Sequence, residues 1–550
     1  MPSLHPRSAA LAALLALSAP FVFASETVDL QAINRITDEA FNRSEIPQTA
    51  AYLSDRIGAR LTNSPQMREA ERWTQEQFRQ WGLKNVRAEG FDFGRGWSIE
   101  RASVRMVAPR VRTMQSIPIA WTPATPGAVS APIIVAPLRT AKDFEKWRGQ
   151  LRGKIVLVSQ PGTSAEPTEA DFKRFTREEL DAMTPYPQPT HSEAQFQARR
   201  KRASFDEQRD EFLAAEGALL WVRRSNREGG LVEGSSYGAD SSTVYGYLVG
   251  RTPKLPAVEL AAEDYRLLAR LAKAGTAPAI EVISDVKFHD DDHRAYNIIA
   301  ELPGRDAKAG YVLAGAHLDS WVAADGAADN AAGSAVVMEA ARILNKLNFK
   351  PKRAIHFALW NAEEPGLLGS IAYLDQHLVS RPPVTDQDTA KLNPYFSRSW
   401  LQRWPITPKP GHAQLTAYFN LDNGSGKIRG INAEGNLAAM PVFKQWLAPF
   451  ASMGADTVVP ARAGGTDHAF MQAVGLPGFQ FIQDPLDYES RVHHTQIDTY
   501  DHLRIEDMKQ AAVILASFLL QAANRDEPLP RMPLPTQPAV TDPFLYDDVE

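Results

Sequence analysis

A chain of 550 residues is longer than one simple core needs, so two or three domains are expected. With 44% apolar and 23% charged residues it has the make-up of a soluble globular protein, and a formal net charge of −5 without a basic stripe argues against a dedicated nucleic-acid binder. Cysteine is absent, which excludes disulfides, thiol nucleophiles and thiolate metal sites and leaves histidine and carboxylate as metal ligands.

The first residues, MPSLHPRSAALAALLALSAPFVFASE, place Arg7 before an apolar run from Ala9 to Ala24 that ends in Val22-Phe23-Ala24 with small Ser25 after it. This is the layout of a secretory signal peptide over residues 1–24, cleaved after Ala24. No later segment offers the roughly 18 uninterrupted apolar residues of a spanning helix. The mature protein is therefore expected in the periplasm or outside the cell, with no membrane attachment once the signal is removed.

Residues 25–117 are expected to form an N-terminal helical part of the catalytic domain. In MREAERWTQEQFRQWGL, Ala70, Trp73, Phe78 and Trp81 lie near one face, and Gly82 ends the run. Between 118 and 285 the texture changes. APIIVAPL, LRGKIVLVSQP and GALLWVRRS read as strands, TEADFKRFTREELDAM as a charged helix, YPQPTHS as a loop and RRKRASFDEQRD as a solvated helix face. This stretch is expected to be an inserted domain.

From 286 to 525 strands and helices alternate: YNIIAELPG, YVLAGAHLDS, a helix from about Ala331 to Leu347, RAIHFALWN, a helix from about Leu367, LTAYFNLD and PGFQFIQD. Apolar β-branched strands spaced by helices imply an α/β sandwich with a mainly parallel sheet, whose ligands gather at the carboxyl ends of the strands. HDDDH at 289–293 falls between two strands and reads as a solvated turn at the hinge between domains. Residues 526–550 form a proline-rich tail, expected to be extended.

Four strand ends deliver carboxylates or imidazoles to one rim: His317 and Asp319, Glu363 and Glu364, Asp422, and His493 with His494. Adjacent glutamates after an apolar strand repel and desolvate badly unless a cation holds one while the other takes a proton from water. A histidine ligand usually donates its second ring N–H to an acceptor, which gives Asp319 a reason to stand two residues after His317. A carboxylate bridging two ions needs a closely approaching chain, and GAADNAAG supplies small residues around Asp329. On spacing alone Asp325, in an Asp-Gly turn, stays in competition.

Together, HLD at 317, GAADNAAG at 326, NAEEPGLLGS at 361, NLDNGSG at 420 and HHTQIDTYD at 493 resemble the M28 family of zinc peptidases, on its carboxypeptidase Q-like branch. LRGKIVLV and AAEGALLWV resemble a protease-associated domain. The likeness implies a zinc exopeptidase fold, a three-layer α/β/α sandwich with a mainly parallel mixed sheet and a β-rich insert. It implies two zinc ions per chain, one held by His317 and Asp422, the other by Glu364 and His494, with Asp329 bridging and Asp325 left as a turn residue. Glu363 is then the general base, acting on a metal-bridging water, and Asp319 the partner of His317. His493 stands where many relatives carry tyrosine, and either polarises the substrate carbonyl or has a structural role.

The expected substrates are dipeptides or short peptides, with homodimerisation as a further implication of the likeness. Two other readings remain on the same scaffold: single-zinc glutaminyl cyclase-like or amidase chemistry, and a non-catalytic receptor-like binding protein. Whether the amino or the carboxyl end is trimmed is not written in the sequence, although Arg462 and Arg491 are candidates for holding a free carboxylate.

Overall fold

The computed structural model describes residues 26–534 except 165, 184–192, 238–242, 244, 384 and 386–404. The signal segment, the YPQPTHS loop and the end of the tail lie outside the described residues.

One eight-stranded sheet carries the rim. Its strands are β1 (Lys84–Asp92), β2 (Arg294–Leu302), β3 (Tyr311–His317), β4 (Ala354–Trp360), β5 (Leu415–Asn420), β6 (Ile428–Asn432), β7 (Thr457–Val459) and β8 (Gly478–Gln483). They are ordered β1-β2-β4-β3-β5-β8-β6-β7. The four central strands β4, β3, β5 and β8 are mutually parallel, while β1, β2 and β6 join antiparallel. Every residue of β3 and β5 is buried, as strands covered on both faces must be.

On one face pack α1 (Leu30–Asn42), α2 (Pro65–Gln80), α3 (Ala332–Lys346) and α4 (Ile505–Asn524). The small residues of α3 let it sink until Ala332 to Leu344 are all buried. Leu367, Ile371, Leu374, Phe470 and Met471 cover the other face, completing three layers. At the centre Gly315 is obligatory, because a Cβ there would lie 2.5 Å from Trp360 Nε1 and 2.7 Å from Tyr418 OH, two side chains that hydrogen-bond across it at 2.7 Å.

A second eight-stranded sheet runs in the order 112–114, 96–108, 279–289, 129–135, 155–157, 220–224, 257–260 and 116–118. Its strands begin at Gly96 and close at His289, outside the expected limits of 118 and 285. The cause is a long antiparallel ribbon: Gly96 to Ala108 pairs along its length with Ala279 to His289, and both strands continue directly from the β1–β2 pair at Asp92 and Arg294. The second sheet thus grows out of an edge hairpin of the first. The N-terminal part is correspondingly not all helical.

HDDDH sits at this junction as a latch. Asp290 pairs with Arg95 at 2.6 Å and Asp292 accepts from Tyr296 OH at 2.6 Å. Two further expectations change. The charged stretch at 168–183 is helical only over Arg177–Ala182, because Arg174 is spent on Asp484 and Asp507 of the first sheet's domain. The helix Glu193–Ala215 contains RRKRASFDEQRD, but Asp206, Arg209 and Asp210 are buried rather than solvated.

Candidate metal centre

The carboxyl ends of β3, β4 and β5, the entry to α3 and the loop after β8 converge. His317 Nε2 lies 2.9 Å from Asp422 Oδ1 and 3.2 Å from Asp329 Oδ1. The second Asp329 oxygen, Oδ2, lies 3.1 Å from His494 Nε2, which is itself 3.1 Å from Glu364 Oε2. Asp329 therefore stands between a His317–Asp422 pair and a Glu364–His494 pair. Two sets, His317-Asp329-Glu364 and Asp329-His493-His494, each bring one ligand atom per residue within 4.8 Å of the others.

Local structure sets these positions. His317 Nδ1 is 3.0 Å from the Asp319 carbonyl oxygen, closer than the 3.7 Å to its carboxylate. That carboxylate instead accepts from Thr62 Oγ1 at 2.9 Å and from the Glu363 N–H at 3.2 Å, tying the His317 loop to the glutamate pair. Asn330 spans the next gap, donating to Leu421 O at 3.0 Å and accepting the Gly333 N–H at 2.9 Å in the first turn of α3. His493 stacks on His494 with ring centroids 3.7 Å apart, and its Nε2 is 3.7 Å from Asp329 Oδ2.

The electrostatics are those of a site short of positive charge. Burial pushes Glu363 well above the usual carboxylate range and Glu364 up to about 7, the Asp329 charge adding to the latter. Burial alone would lower His317 and His494, yet the facing carboxylates, Asp422 first for His317 and Glu364 first for His494, hold both well above the imidazole range. Asp329 is held well below its ordinary value because, against its burial, the facing imidazoles of His317 and His494 favour its charge. His493 falls to about 3, through burial and then the charge of His494.

Two imidazoles do not balance Asp329, Glu363, Glu364 and Asp422. Asp329 Oδ2 and Glu364 Oε1 are buried without a hydrogen-bond partner, a state that native proteins rarely leave unanswered. An all-nitrogen and oxygen donor set with orphaned lone pairs fits a divalent cation, zinc included.

Several contributors were not apparent from sequence. Asp498 accepts the Ala328 N–H at 2.6 Å and the Asp329 N–H at 3.1 Å, and so fixes the central carboxylate. It is the last residue of the H-T-x-x-D pattern, where its signal was available. Arg60 donates to the carbonyls of Leu318, Asp325 and Gly326 at 2.8, 2.7 and 2.7 Å, tying down both ends of WVAAD; nothing in its neighbourhood announced this. Trp321 packs edge-on against His494, Trp121 and Tyr237, the last two from the inserted region. Asp325 enters the network through its carbonyl rather than its carboxylate. Arg491 lies 3.6 Å from Asp171, and Arg462 is exposed.

An α/β/α sandwich with a carboxylate–imidazole cluster at the ends of its parallel strands is the architecture of a metallopeptidase. Residues 297–519 match the family model described as Peptidase family M28. The chain is similar to carboxypeptidase Q of Mus musculus, 24% identical over 480 residues that span 87% of this chain and 86% of that one. Among solved structures it resembles a peptidase M28 precursor from Shewanella amazonensis, with TM-score 0.62, 24% identity, and 92% and 98% of the two chains covered. It also resembles BSAP, a zinc aminopeptidase from Bacillus subtilis, with TM-score 0.54, 18% identity, and 88% and 95% covered.

Proposed function

We propose that this chain is an exported dizinc exopeptidase that hydrolyses dipeptides or short peptides. The observation that carries the reading is Asp329, a buried carboxylate set between the His317–Asp422 and Glu364–His494 pairs, with Oδ2 lacking a hydrogen-bond partner. His317 and Asp422 would hold one ion, Glu364 and His494 the other, and Asp329 both. Zinc in such a site supplies a Lewis acid for the scissile carbonyl and lowers the pKa of water.

The chain's own residues supply proton transfer and order. Glu363, half-buried at the rim and with a raised proton affinity, takes a proton from the attacking water and returns it to the leaving amine. Asp319 keeps the Glu363 backbone in register with His317, and His493, neutral through its lowered pKa, faces Asp329 from the open side. The inserted sheet is read as a protease-associated domain. Export rests on residues 1–24; among the described residues no helix is long and apolar enough to cross a membrane.

A panel of unblocked and N-blocked dipeptides and tripeptides, assayed with and without chelator, tests the reading. Chelator-sensitive cleavage at a chain end is expected, and product analysis of one unblocked tripeptide tells which end. Activity indifferent to chelation and to Glu363→Gln would overturn it.

A further inference from the structure

One loop of the inserted sheet reaches both segments that carry the Glu364–His494 half of the cluster. Arg227, just after the strand Leu220–Arg224, donates from one guanidinium nitrogen to Glu489 O at 2.7 Å and from another to His493 O at 3.2 Å, while its Nε pairs with Glu233 at 2.9 Å. Five residues on, Val232 N–H donates to Gln496 Oε1 at 2.7 Å, and the Gln496 amide returns a bond to Gly230 O at 3.0 Å. Tyr237 OH then donates to Pro365 O at 2.9 Å, one residue past Glu364. His317 and Asp422, in contrast, stand at the ends of β3 and β5 within the first sheet.

The His494 segment needs such support. His494 has φ 64°, a left-handed conformation that a residue with a Cβ keeps only where its surroundings over-determine it. Its peptide is gripped from before by Arg227 and from after by Gln496.

We infer that Arg227 is a positioning residue through which the inserted domain shapes the Asp329–Glu364–His494 half of the metal centre and leaves the His317–Asp422 half to the first sheet. The inference rests on the two-ion reading above. It makes capture of one ion depend on the contacts of the Arg227 loop, so that this loop of the insert is part of the site rather than an appendage.

Cobalt(II) titration of the metal-free full chain, followed by visible absorption, tests it on wild type, Arg227→Met, Arg227→Lys and Arg174→Met. Arg174 docks the insert through Asp484 at 2.9 Å and Asp507 at 2.7 Å, away from the ligand segments. Arg227→Met is expected to weaken one of the two binding steps about 10- to 100-fold and to spare the other, as loss of a ligand's supporting partner does. Arg227→Lys is expected to recover part of that loss, and Arg174→Met to bind as wild type does. Two unchanged steps in Arg227→Met would overturn the inference; so would equal weakening of both steps with a matching loss in Arg174→Met, since Arg227 would then be merely structural. Should wild type take up a single ion, the two-ion reading fails by itself, and the Arg227 inference stands only if the affinity for that ion falls in Arg227→Met.

Discussion

Replacing Arg60 by methionine should damage the metal centre from a distance. The guanidinium is fully buried and donates to the carbonyls of Leu53, Gly58, Leu318, Asp325 and Gly326. Leu53 O and Gly326 O keep other donors, the N–H groups of Gly58 and Ala331, whereas those of Gly58, Leu318 and Asp325 lose the guanidinium. Orphaning three acceptors, the Leu318 carbonyl buried and those of Gly58 and Asp325 partly buried, at about 1–3 kcal/mol each costs about 6 kcal/mol at mid-range. Methionine also relieves a buried charge: burial pulls the Arg60 guanidinium from its ordinary 12.5 to about 10, a difference worth about 3 kcal/mol. The net loss is about 3 kcal/mol, concentrated in the loop that joins His317 to Asp329. Urea denaturation and zinc titration of Arg60→Met should therefore show lowered stability together with weakened metal binding. Stability within about 0.5 kcal/mol of wild type with unchanged zinc affinity would refute this reading.

Asp498→Ala removes the acceptor for two buried N–H groups, one of them on Asp329, and should weaken zinc binding about 10- to 100-fold by equilibrium competition with a chelating dye. Gly333→Ala places a methyl 2.4 Å from both Asn330 Oδ1 and Leu421 O, so the strand end bearing Asp422 must shift; a loss of about 1–3 kcal/mol in denaturant is expected, and a wild-type midpoint would show that the fit is looser. Glu71, buried against Asn361, has its carboxyl pushed up to about 7 by burial, with Arg68 opposing. The native state then holds this proton more tightly than the unfolded state, so its contribution makes stability fall by about 3 kcal/mol as pH rises from about 4.5 to about 7. Glu71→Gln should flatten that part of a stability–pH curve, and an unaltered slope would contradict the assignment.

The central architecture was readable because its strands are unbroken and buried or nearly so: YVLAGAH, AIHFALW and LTAYFN are read directly as β3, β4 and β5. Several rim residues were readable for the same reason, since His317 ends β3 and Glu363, Glu364 and Asp422 follow the ends of β4 and β5. What escaped was whatever depends on distant pairing. The ribbon at 96–108 looks like a continuation of the N-terminal part until its partner at 279–289 is known. Arg60 lies more than 250 positions before the carbonyls of Leu318, Asp325 and Gly326. HDDDH drew attention by composition, although Arg95 and Tyr296 account for Asp290 and Asp292. Choosing Asp329 over Asp325 needed the resemblance, and the geometry gives Asp329 the contacts to both pairs.

The most direct test is Glu363→Gln, measured for zinc content and tripeptide hydrolysis in the same preparation. The account predicts that the variant keeps the zinc of wild type, because Glu363 is not assigned as a ligand, and loses about 10²- to 10⁴-fold in kcat. Hydrolysis at the wild-type rate with zinc retained would contradict it.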